Sequence, residues 1–140
     1  MKKLIQLKTK ENENLDPINN NYEQRISSLE GVVLYEHNGS GATDNITLSD
    51  SAANYKFIEI FYNGASNNNY VKVCEPNNKQ VFLTTAWTNT NDSGNLKIAI
   101  IYISNKLISK QKYTAINYSA NSFSATEENG IGIKKVIGYK

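Results

Sequence analysis

From residue 31 onward, apolar and polar side chains alternate along the chain, and short runs of Asn, Gly, Ser and Asp interrupt the alternation at regular intervals. A period of two puts successive side chains on opposite faces of an extended strand. It predicts strands over Val32 to His37, Asn45 to Leu48, Tyr55 to Tyr62, Tyr70 to Glu75, Gln80 to Trp87, Leu96 to Ser104, Leu107 to Asn117, Ser122 to Thr126 and Gly130 to Tyr139. The segments between them, NGSGATDN, NGASNNN, EPNNKQ, NTNDSGN and TEENG, are rich in turn formers. Evenly spaced strands without a long helical pattern predict an all-β fold: an antiparallel two-sheet β-sandwich of jelly-roll-like arrangement. SDSAAN adds one helical turn, capped by Ser49 or Asp50, which delivers the chain into the strand at Tyr55.

Two strands are apolar on both faces. Phe57, Glu59 and Phe61 oppose Ile58, Ile60 and Tyr62, while Leu96, Ile98, Ile100 and Tyr102 oppose Lys97, Ala99, Ile101 and Ile103. A sandwich strand needs only one apolar face, because the other meets water. The outer faces are therefore expected to contact either the N-terminal segment or a second subunit.

Ahead of the sandwich the period changes. KKLIQLKTKENENLDPI reads as a short strand over Leu4 to Leu7, a polar turn at Glu11 to Asn14 and a return at Leu15. A short helix follows, with Asp16 as cap, Pro17 at its first position and Gly31 at its exit. Ile18, Tyr22, Ile26 and Leu29, at spacings of four, four and three, form one narrow apolar stripe along it. So thin a stripe needs a partner, either its own domain or other copies of the chain in a short coiled-coil stalk. The expected organisation is a hairpin and helix for attachment or oligomerisation in residues 1–30, then a β-sandwich domain in residues 31–140.

Charge adds mainly exclusions. Fifteen basic residues against thirteen acidic ones give a net charge of +2, and Arg25 is the only arginine. Spread lysines without clustered guanidiniums argue against a nucleic-acid partner. The one cysteine, Cys74, reads as a small apolar residue buried on a strand. MKKLIQLKTKENEN is too short in apolar residues for a signal peptide, and no segment approaches the roughly 20 apolar residues of a membrane helix. A soluble protein made in the cytoplasm, without membrane insertion, is expected.

Catalytic and metal chemistry find little support. His37 is the only histidine, so neither a multi-histidine metal site nor a histidine relay can form; without a GxSxG elbow it reads as a surface residue. NGSGATDN lacks the GK[ST] of a phosphate loop, and NTNDSGN lacks the acidic spacing of a calcium loop, reading as a tight turn at Asp92 to Gly94. Glu127 and Glu128 are adjacent and would point to opposite faces of a strand. No catalytic residue, metal or cofactor is expected. What remains is nine tyrosines and one tryptophan, set mostly at strand ends or beside Asn-rich loops, as in FYNGASNNNY and TTAWTNTND. Flat aromatic faces with neighbouring amides suit sugar recognition, which makes Trp87, Tyr62 and Tyr70 the candidate ligand-binding residues.

The order of motifs also resembles a known family. VVLYEHNGSGATDNITLSDSAANYKFIEIFYNG, then YVKVCEPNNKQVFL, then GIGIKKVIGYK, are similar to a C-terminal domain of tail and baseplate-associated proteins from phages and prophages of Gram-positive bacteria. LIQLKTKENENLDPI resembles the LKDKEGNxxYPI hairpin with which many such proteins start. The resemblance implies a non-enzymatic virion component at the distal tail, assembled in the host cytoplasm. It implies a homo-oligomer, with a trimer favoured, and contacts to other tail or baseplate proteins. It further implies a contribution to recognition of host cell-wall polysaccharide, or to virion decoration. The alternative is a free-standing carbohydrate-binding or adhesin module, and a polysaccharide-degrading enzyme ranks behind both.

Overall fold

A computed structural model describes residues 22, 25, 26, 29–64, 67–90, 93–128 and 130–140. The chain divides into two units, Met1–Gly31 and Val32–Lys140. In the second, nine strands fall where the alternation predicts them: β1 (Val32–Glu36), β2 (Ile46–Thr47), β3 (Phe57–Gly64), β4 (Asn67–Cys74), β5 (Lys79–Thr90), β6 (Ser93–Ser104), β7 (Leu107–Ser119), β8 (Ser122–Thr126) and β9 (Gly132–Tyr139). They form two antiparallel sheets, one ordered β1-β9-β3-β4 and the other β2-β7-β6-β5, with β8 also on β7. The result is a two-sheet β-sandwich. Its first and last strands lie side by side, whereas β3–β4 and β5–β6–β7–β8 are joined by hairpins within their own sheets.

Alternation decides what is buried. Ile58, Ile60 and Tyr62 of β3 face Leu83 of β5, Ile101 and Ile103 of β6 and Ile108 of β7 across a core closed by Leu34, Ile133 and Val136. Each fully buried aliphatic side chain contributes on the order of 2 kcal/mol through loss of water contact. Asparagine serves the turns: Asn78 and Asn105 adopt φ of 57° and 50°, the left-handed region in which a short polar side chain costs least.

On the outer face of β3, Phe57, Glu59 and Phe61 are covered in part by their own neighbours. The Phe57 ring stacks on Tyr139 at 4.6 Å, and the Lys72 ammonium lies 3.6 Å from its centroid. The Tyr139 hydroxyl donates to Glu59 Oε2 at 3.1 Å, and Phe61 stacks on Tyr70 at 5.9 Å. Cross-strand pairs of this kind take up apolar surface that no second layer need cover.

The SDSAANY stretch is a built joint. Ala52–Asn54 forms a single 3-10 turn whose cap is Ser51; its hydroxyl accepts from the Ala53 N–H at 3.3 Å. This corrects the expectation of Ser49 or Asp50 as cap. Asp50 instead collects three donors: the Ser51 N–H at 2.7 Å, Asn54 Nδ2 at 3.0 Å and the Tyr55 hydroxyl at 3.0 Å. These bonds, that of Asn54 foremost, hold its carboxyl below the usual carboxylate range. A folded-state pKa below the unfolded one gives stability that is complete above the unfolded value, about 4, and is lost as the pH falls through the folded value. Thermal melts of the wild type and Asp50→Ala should thus differ most near neutral pH and converge in acid. A gap that does not change with pH would show that the carboxylate's charge contributes nothing.

Two other expectations resolve differently. Cys74 is exposed, because it pairs with Phe57 and so shares the outer face while Val73 takes the core. Gly94 is not in the turn; it belongs to β6, opposite Thr88 and Tyr118, where the Tyr118 ring occupies the space a side chain would need. The strand at Leu4, the turn at Glu11 to Asn14 and the helix start at Asp16 to Ile18 lie outside the described residues. Of the apolar stripe, Tyr22, Ile26 and Leu29 are helical and exposed, Leu29 to 78%.

Candidate functional site

Where β1 ends beside β9, the sheet is interrupted by a bulge. Phe61 pairs with Lys135 and Tyr62 with Ile133, so Lys134 has no partner across the strands. On its other side, its carbonyl accepts from the His37 N–H at 2.8 Å, just past the last β1–β9 pair. Bulges of this kind re-aim side chains at the edge of a sheet. The result is an open groove of about 290 Å³, lined by Glu36, His37, Asn38, Phe61, Asn68 and Lys135 among others.

The loop that follows this groove, NGSGATDN, is pinned from several sides. Gly41 lies against the backbone of Gly132, and Ala42 exchanges two hydrogen bonds with Ile133 at 2.8 and 2.9 Å. Lys110 of β7 donates its ammonium to Ala42 O at 2.9 Å and Ile131 O at 3.1 Å, while the Tyr113 hydroxyl donates to Thr43 O at 2.7 Å. Burial lowers the Lys110 pKa to about 8, and the nearby Asp44 carboxylate opposes the shift. Gly41 thus serves a close backbone contact, and Gly39 a turn of positive φ in open space.

The groove combines an aromatic wall with polar groups. Phe61 forms its β3–β4 side, and the exposed Tyr70 backs that ring, stacked on it at an interplanar angle of 27°. Asn68 adds an amide on the same hairpin. On the opposite side Lys135 and Glu36 pair at 3.1 Å, both partly exposed, which makes the pair worth at most about 1 kcal/mol. The arrangement can hold a small polar molecule with an apolar face, by stacking and hydrogen bonds. No hydroxyl or carboxylate orients the His37 ring among the described residues.

No family model, curated protein or solved structure matches this chain.

The three aromatics singled out by sequence do not gather in one place. Tyr70, 65% exposed, does not line the groove itself but stacks on Phe61, which does. Tyr62 borders the groove, yet its side chain is only 5% exposed, and its hydroxyl bridges the two sheets by donating to Thr84 O at 3.1 Å and accepting from the Thr84 N–H at 3.4 Å. That ring closes the core and has no free face. Trp87 is in the other sheet, partly buried and directly opposite Asn95. There Asn95 Nδ2 donates to Asn117 Oδ1, and Asn95 Oδ1, buried, has no partner among the described residues.

Phe61 and Asn68 escaped the sequence reading. A usable signal existed, because antiparallel pairing of Gly64 with Asn67 brings Phe61 opposite Tyr70 and Asn63 opposite Asn68. Glu128, read as one of two divergent carboxylates, pairs with Lys97 at 3.0 Å. Among the described residues no group of three or more His, Cys, Asp or Glu side chains is placed to hold a metal ion, and no helix is long and apolar enough to cross a membrane.

Proposed function

We propose that this protein is a non-enzymatic component of a phage tail or baseplate that contributes to recognition of a host-surface glycan, with the groove beside Phe61 as its binding site. The stacked Phe61–Tyr70 pair carries this reading. The Phe61 ring at the wall of an open groove, backed by Tyr70 and set next to asparagine amides, is a surface on which a sugar ring can lie while its hydroxyls reach polar partners. The likeness of the SDSAANY and KVIGYK motifs to tail-associated domains supports the virion setting, the assembly into a small homo-oligomer and the contacts with other tail proteins. The two-sheet frame suits a binding element, since most of the groove lining belongs to paired strands, with only His37 and Asn38 beyond the end of β1.

Binding to purified cell-wall polysaccharide fractions tests the proposal. Phe61→Ala and Tyr70→Ala should each weaken binding about tenfold, the loss expected of one stacking contact. Trp87→Ala, in the other sheet, should leave it unchanged. If the wild type binds no wall fraction, or if both groove variants bind as the wild type does, the groove is not the site.

A further inference from the structure

Consecutive residues of a strand point to opposite faces, yet β9 sends two neighbouring lysines the same way. Ile133 and Val136 are both fully buried in the core, three positions apart, so strict alternation fails between them. The bulge at Lys134 absorbs the extra residue and leaves Lys134 and Lys135 together on the outer face, where both line the groove beside Phe61. A regular strand would have turned one of these two side chains toward the core.

The charges around them do not cancel. In β1, β9, β3 and β4 the charged side chains are Glu36, Glu59, Lys72, Lys134 and Lys135. Lys135 pairs with Glu36 at 3.1 Å, Glu59 accepts from the Tyr139 hydroxyl, and Lys72 lies over the Phe57 ring. Among the described residues no carboxylate lies within ion-pair distance of Lys134. His37, also lining the groove, adds positive charge or none. Glu36 stands across Lys135 from Phe61 and is already paired there.

Resting on the glycan-binding reading of this groove, we propose that the sugar it takes is acidic, carrying a carboxylate or a phosphate on the edge that faces β9. A ring stacked on Phe61 has two such edges. One lies toward β4, where the Asn68 amide suits hydroxyls; the other lies toward β9, where Lys135 is directly opposite Phe61 with Lys134 beside it. An anion on that edge meets an ammonium with no ion pair to give up, and a hydrogen bond between two charged groups is stronger than one to a neutral hydroxyl. Lysine engages either anion as a point charge, so carboxylate and phosphate share this chemistry.

Titration of the full chain with glucose, glucuronate and glucose phosphorylated on its primary hydroxyl, followed by NMR chemical shifts, tests the inference. At low salt the wild type should bind at least one acid about fivefold more tightly than glucose, the gain expected of one exposed charge pair. That advantage should fade at about 1 M salt, where the Debye length is about 3 Å. The acid with the larger gain identifies the source of the anion. Lys134→Gln should bring the ratio of acidic to neutral affinity to about one, whereas Phe61→Ala should weaken all three sugars. Acids that bind no better than glucose, a preference that high salt or Lys134→Gln leaves intact, or acetate that binds as tightly as glucuronate would each overturn the proposal. In those cases glucose binding that depends on Phe61 keeps the groove as a glycan site. If none of the three sugars binds while wall polysaccharide does, the acidic preference alone falls; if wall polysaccharide does not bind either, the glycan reading falls with it.

Discussion

Replacing Gly138 with valine should destabilise the sandwich by about 3 kcal/mol and lower its melting temperature by roughly 10 °C. Gly138 sits in β9 between Val32 of β1 and Ile58 of β3, and the Tyr55 ring lies directly on it. A Cβ at this position would stand 2.5 Å from Tyr55 Cδ1 and 2.7 Å from Cε1. The ring cannot step aside, since it is 6% exposed and its hydroxyl is held by Asp50. The two sequence motifs at opposite ends of the domain, SDSAANY and KVIGYK, are thus two halves of one contact. Urea unfolding gives the test, with Tyr55→Leu as the second arm of a double-mutant cycle. Shortening the ring should recover part of the loss, because the sites are in contact and their effects are not additive. A valine variant as stable as the wild type would mean that the ring does not rest on the glycine.

Gly41→Ala should have an effect of similar size, about 3 kcal/mol, and Gly39→Ala a much smaller one, about 1 kcal/mol. The two glycines share a backbone conformation, with φ of 87° and 88°, so alanine meets the same left-handed strain at both. They differ in surroundings. A Cβ on Gly41 would come within 2.7 Å of the Gly132 carbonyl carbon, which is backbone and cannot rotate away, whereas nothing lies within 4 Å of one on Gly39. The difference between the two variants therefore isolates the close approach of the loop to β9. Since that approach sets the Ala42–Ile133 bridge beside the groove, Gly41→Ala should also weaken ligand binding more than Gly39→Ala does. Equal losses at the two positions would assign the whole effect to φ.

Much of the fold was legible because its causes are local. Alternation with period two located nine strands, since whether a residue faces the core depends on its immediate neighbours along the strand. Turn composition located the breaks, as Asn78 and Asn105 show by taking positive φ where the chain reverses. The boundaries were less secure. The third strand begins at Phe57 rather than Tyr55, because Tyr55 ends the 3-10 turn and gives its ring to the core. Cys74 was assigned to the interior on composition alone, yet the parity of β4 sends it outward with Tyr70 and Lys72.

The candidate site was less visible, for a different reason. Sequence singled out tyrosines beside Asn-rich loops but did not distinguish Tyr70, which is open to water, from Tyr62, whose hydroxyl ties the two sheets together. Nor did it find Phe61, because its role depends on register with the next strand and on the bulge that leaves Lys134 unpaired. By itself the sequence determined the class of fold, the strand order along the chain and the excess of apolar positions on β3 and β6, all set within a few residues of each position. Only the tertiary structure decided that the excess on β3 is taken up by rings and a lysine of its own sheet, and that Tyr102 of β6 and its neighbours Phe82 and Phe123 stay exposed. Cross-strand partners are brought together from residues as far apart as Phe57 and Tyr139, and no local pattern specifies such a pairing.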